Sequence, residues 1–138
     1  IRVNKASNVI AVPKAAWNSL TKLKVYVPRK WYGLASVFRE KDSQRDEVVM
    51  VDAAPLDDIL RSYQKIKLIK IDVEGAEYQV LEGARETLKK TNYVILEVSR
   101  EKDKIIHLLK EEGFRIHKLK FTTYIFASNS NLRKANYK

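Results

Sequence analysis

Asp72, Glu74 and Glu97 are the residues of this chain best placed to do chemistry. Asp72 and Glu74 sit two apart beyond the short apolar run that starts at Ile66, and Gly75 follows them at once. Side chains two apart on a strand point the same way; because the chain turns near Glu74, that alignment is approximate. Glu97 lies near the end of the next apolar run, Tyr93–Val98. If the two runs are neighbouring strands, three carboxylates converge at one rim of a sheet. Such a group can bind a cationic ligand, hydrogen-bond a substrate hydroxyl, act as a general base, or hold Mg²⁺ or Mn²⁺ through oxygen. The competing structural reading makes Asp72 or Glu74 a cap for the helix starting near Ala76, and pairs Glu97 with Arg100. Ligands of open parallel α/β sheets bind outside the carboxyl ends of the strands, which favours a functional role for Asp72 and Glu74.

Strands and helices must position these acids. Val9–Val12, closed by Pro13, reads as a buried strand, and Leu23–Val27 alternates in the β manner before Pro28. Arg29–Ser36, with Trp31, Tyr32 and Gly33, reads as a loop, and Arg39–Glu47 as an exposed charged segment. Val48–Val51 is a further short strand. Pro55 then opens a helix over Leu56–Tyr63, with Asp57 and Asp58 at the positive end of its dipole. Lys67–Val73 is the central strand. Ala76–Lys90 is helical, with Val80, Leu81, Ala84 and Leu88 on one face and Gly83 weakening its middle. Glu77, in its first turn, is accounted for by the helix dipole. Asp103–Glu112 is an amphipathic helix that Gly113 stops. Phe114–Phe121 and Thr123–Ala127 form a terminal β pair.

Alternating strands and helices imply a parallel sheet with right-handed crossovers. The final pair adds an antiparallel edge, so the expected class is α/β with a mixed sheet. Residues 1–128 form the domain and 129–138 a polar tail.

At 138 residues and 16.0 kDa, one domain is expected. The chain has no cysteine, which excludes a disulfide framework and a thiolate metal site and fits a reducing, cytoplasmic setting. No apolar run approaches the ~20 residues of a membrane span. A net charge of +10 attracts nucleic acid or acidic glycans, although the basic residues are scattered, as on a solubilising surface. With four glycines and neither a Walker loop nor a Gly-x-Gly-x-x-Gly run, there is no phosphate cradle of those types. His107 and His117 are not spaced as a metal pair and read as packing or surface residues. Trp17, Trp31 and Tyr32 can stack on a planar ligand or cover the core.

The octapeptide Lys70–Glu77 (KIDVEGAE), followed by Val80–Ala84 (VLEGA), closely resembles the signature of the FkbM-type methyltransferases. Pro55–Leu60 (PLDDIL) resembles the family's Thr-Leu-Asp-Asp-Leu-Leu element, with proline in place of threonine. Leu96-Glu97-Val98 resembles its next strand, and Asn8–Val12 with Ala15 and Ala16 its earlier strand and adenine-side loop. Gly33 and Ser36 sit where the family carries a Gly…Ser segment. The resemblance covers most of Asn4–Ala127.

It implies a Rossmann-like class I fold and an S-adenosylmethionine-dependent methyltransferase, acting as an O-methyltransferase on a sugar, lipid or other small acceptor. By the same resemblance Asp72 and Glu74 lie at the methyl-transfer centre, Ala15, Ala16 and Trp17 border the adenine, Asp72 also contacts the cofactor, and Glu97 faces the substrate. Nothing before Asn4 resembles the family's glycine-rich cofactor loop or its ribose-binding acid. The chain therefore reads as the C-terminal two-thirds of such a domain. Either upstream residues supply the loop or cofactor binding is lost, and tight S-adenosylmethionine binding by the chain as given is not expected. The alternative is a non-catalytic module of this fold that binds RNA or an acidic glycan. A sheet edge left exposed at the N-terminal side would invite a second copy.

Overall fold

The computed structural model describes residues 6–29, 32–38, 47–118 and 123–133. Trp31, the charged segment 39–46 and the β-pair residues 119–122 lie outside the described residues.

Two sheets carry the chain. The first joins β1 (Ala15–Ala16), β2 (Thr21–Val27) and β3 (Glu47–Ala54) in the order β1-β3-β2. β2 and β3 form an antiparallel ribbon from Thr21 opposite Ala53 to Val27 opposite Glu47, and β1 runs parallel to β3. The second sheet holds β4 (Ile66–Ile71), β5 (Thr91–Glu97), β6 (Phe114–Lys118) and β7 (Tyr124–Asn129) in the order β4-β5-β7-β6. β4 and β5 are parallel, as the intervening helical segment requires. β7 runs antiparallel to both neighbours, so the last strand lies inside the sheet and β6 is its edge.

The helices are α1 (Leu56–Ile59), α2 (Glu77–Glu82), α3 (Arg85–Lys89), α4 (Lys102–Glu111) and α5 (Ser130–Arg133). The helix expected over Ala76–Lys90 is broken at Gly83 and Ala84 into α2 and α3. Glycine at the break has a steric reason. A Cβ on Gly83 would stand 2.1 Å from the carbonyl oxygen of Trp17, so the chain after β1 lies directly on this glycine. Asp57 ties the same region together. Its carboxylate accepts hydrogen bonds from the backbone N–H of Glu86 (3.1 Å) and Thr87 (2.7 Å), stapling α1 to the start of α3. Beyond the dipole, Asp57 therefore satisfies orphan donors of a different helix.

The core lies between α2, α3 and α4 and one face of the four-stranded sheet. Leu81, Leu88, Val94, Leu96, Ile105 and Leu109 are fully buried there. Alternation along β5 places Val94 and Leu96 inward and leaves Tyr93, Ile95 and Glu97 half-buried on the opposite face. Gly113, at φ 83°, ends α4 in the left-handed conformation that glycine adopts without strain. β7 extends through Asn129, which is buried and donates to the Leu88 carbonyl at 3.3 Å.

The strand expected at Val9–Val12 is not formed. That segment has no ladder partner among the described residues, and Val9, Ile10 and Val12 are 47%, 77% and 46% exposed. Four apolar residues resemble a strand in composition, but a strand forms only where a neighbour supplies hydrogen bonds. Among the described residues no helix is long and apolar enough to cross a membrane.

Candidate functional site

β4 stops at Ile71, and the next six residues build the site. Asp72 continues the line of Leu68 and Lys70 on the face turned away from the helices, and its carboxylate meets the Lys70 ammonium at 2.5 Å. The parallel register sets Ile71 beside Leu96, which brings Asp72 to the level of Glu97 on β5. Glu97 in turn faces Tyr124 on β7, whose hydroxyl donates to the Glu97 carboxylate at 2.7 Å. Three strands thus assemble a rim of two carboxylates, one ammonium and one phenol.

The rim is wet: the Asp72 and Lys70 side chains are 38% and 57% exposed. Charges in such a setting are screened and the ion pair adds little stability, but it still biases protonation. The hydrogen bond to Asp72 holds the Lys70 ammonium above the ordinary lysine range, with further attraction from Asp72, Tyr124 and Glu97. Glu97 likewise pushes the Tyr124 phenol above its usual value, first as hydrogen-bond acceptor and then as a neighbouring charge. Arg100, the expected partner of Glu97, lies instead over the Phe38 ring, 4.8 Å from its centroid.

Glu74 lies beyond the strand, at φ 48°, and Gly75 follows at φ 100°. Strand alternation therefore does not apply between Asp72 and Glu74. The Glu74 carbonyl is tied to the connection between β2 and β3, accepting from Ser36 Oγ at 2.7 Å. Neither Asp72 nor Glu74 caps the following helix, whose N-cap is Ala76 and carries no side-chain cap.

Glu77 has a larger role than helix dipole stabilisation. It is fully buried, and its Oε1 accepts the Gly75 N–H at 2.8 Å. Its Oε2 has no hydrogen-bond partner among the described residues. The first residue of the helix thus reaches back past the N-cap Ala76 to the turn, and latches the two left-handed residues in place. Glu77→Ala is expected to lower unfolding stability by about 1–3 kcal/mol by leaving that N–H unpaired, and Glu77→Gln by less. Urea denaturation reads both, and wild-type stability in Glu77→Ala would contradict the latch.

Beside the rim, a cavity of about 290 Å³ opens along the edge of β4 that no strand pairs among the described residues. Ala16, Leu56, Leu60, Ile69, Ile71, Val73 and Val80 give it apolar walls, and Lys70 and Asp72 also border it. Asp72 belongs to both cavity and rim. Ala15 and Ala16 form β1, Ala16 lines the cavity, and half-buried Trp17 donates its backbone N–H to the Ala54 carbonyl at 3.0 Å. The histidines lie elsewhere: His107 faces Glu111 at 3.2 Å, and His117 shares a 2.8 Å hydrogen bond with Ser128. Among the described residues no three acids or histidines gather closely enough to hold a metal ion.

An α/β chain with mixed sheets and acids at the strand ends is consistent with a methyltransferase-like fold. The model of the Methyltransferase FkbM domain family matches residues 4–116. The chain therefore belongs to that family and, at this general level, is a methyltransferase. No curated protein and no solved structure matches it.

Proposed function

We propose that the protein is an S-adenosylmethionine-dependent O-methyltransferase acting on a hydroxyl of a sugar, lipid or other small acceptor. The observation that carries this reading is the double membership of Asp72, in the apolar cavity and in the polar rim. A cofactor with a flat aromatic base and a positive sulfonium needs an apolar slot ending in a negative charge. Ala16, Ile69, Ile71 and Val80 would line such a slot and Asp72 lies at its border, so the residues present fit the group. Trp17, with Ala15 and Ala16, would border the base. The β4-β5-β7-β6 order with β7 reversed supports a Rossmann-like class I domain.

Bound S-adenosylmethionine supplies an electrophilic methyl group. The chain's own part is to orient the acceptor and take its proton. An acceptor hydroxyl donates to Asp72 or Glu97, and the carboxylate accepts the proton as the oxygen gains its methyl. Lys70 pairs with the Asp72 carboxylate at 2.5 Å and holds it at the rim, where a base would be needed. Glu74, held beyond the turn, would bound the acceptor side.

The test uses the full chain with radiolabelled S-adenosylmethionine and a panel of methyl glycosides and hydroxylated lipids. Label is expected in at least one acceptor, at a hydroxyl. Absence of both cofactor binding by calorimetry and transfer to any acceptor would overturn the reading.

A further inference from the structure

Glu97 is placed at the rim by its strand but is held there by a residue from another one. β7 brings Tyr124 opposite Glu97, and the phenol donates to its carboxylate at 2.7 Å. Position 124 lies beyond the residues the family model matches, so family membership assigns it nothing. We propose that Tyr124 is a positioning residue of this site, clamping Glu97 so that it and Asp72 face the acceptor around Lys70.

This rests on the methyltransferase reading for its purpose but not for its geometry. A glutamate side chain at a wet strand end has several rotamers of similar energy, and a fixed donor selects one. The charged groups facing the phenol are Glu97 on β5 and Asp72 and Lys70 at the end of β4. Glu97 and Asp72 disfavour a phenolate beside them, whereas Lys70 favours it. The phenol and the Lys70 ammonium therefore both feel the same two carboxylates. A tyrosine that merely covers the sheet would not respond in this way.

The test is a pH titration of the tyrosine ring-oxygen carbons by ¹³C NMR, with Tyr124 identified by the signal lost in Tyr124→Phe. Tyr124 is expected to titrate above the ordinary tyrosine value of about 10. Glu97→Gln should lower it most, Asp72→Asn should lower it less, and Lys70→Met should raise it. In the transfer assay, Tyr124→Phe should reduce kcat about tenfold, the effect of one hydrogen bond to a charged group, with KM for S-adenosylmethionine unchanged. A Tyr124 signal indifferent to Glu97→Gln would overturn the proposal, as would an unchanged kcat in Tyr124→Phe. No transfer by the wild-type chain would sink the methyltransferase reading instead, and the titration does not depend on it.

Discussion

Replacing Asp72 by alanine should abolish methyl transfer while the protein stays folded. Loss of a positioned general base costs about 10²–10⁴ in rate, and Asp72 additionally borders the cavity proposed for the cofactor. A stability loss of no more than about 1 kcal/mol is expected, because exposed ion pairs contribute little and the side chain is 38% exposed. Glu97→Ala should lower kcat while leaving S-adenosylmethionine binding intact, since Glu97 stands on the rim alone. Turnover assays with calorimetric cofactor binding and thermal melts separate the three quantities. Full activity in Asp72→Ala would remove Asp72 from the mechanism.

Gly83→Ala should be destabilising, against the usual preference for alanine over glycine in helical segments. Gly83 has φ −81° and ψ 9°, which alanine adopts without strain, and helix propensity alone would favour the substitution by about 1 kcal/mol. The added methyl, however, would lie 2.1 Å from the Trp17 carbonyl oxygen and 2.9 Å from its carbon. Both are backbone atoms and cannot swing aside. Overpacking of this kind costs about 1–3 kcal/mol, and the upper end is expected here. The same clash would push β1 and Ala16 away from the cavity, so cofactor affinity should fall with stability. A urea midpoint at or above wild type would show that Trp17 does not lie on Gly83.

Much of the fold is local and was legible. Ile66–Ile71 carries four apolar residues, three of them β-branched, and runs into acids and a glycine, a pattern that reads as a strand delivering charge to its tip. The 3.6-residue spacing of Ile105, Leu108 and Leu109 marks α4, and Gly113 its end. Gly83 was visible as a weak point, but its cause was not, because the Trp17 carbonyl lies 66 residues away in sequence. Val9–Val12 misled for a related reason: composition shows that a segment can be a strand, while a ladder partner decides whether it is one.

By itself, then, the sequence determined the family, the class of fold and the position of Asp72 and Glu97 at strand ends. These follow from local patterning and from one specific octapeptide. Only the tertiary structure decided which groups meet. Tyr124 reaches Glu97 across 27 residues, Asp57 reaches Thr87 across 30, and Ser36 reaches Glu74 across 38. Burial of Glu77 belongs with these, since an acid in a first helical turn is ordinarily exposed and only packing removes it from water. Each of these contacts joins segments far apart in the chain, and which of them come together is settled only once the helices and strands pack, because no local pattern names the distant partner.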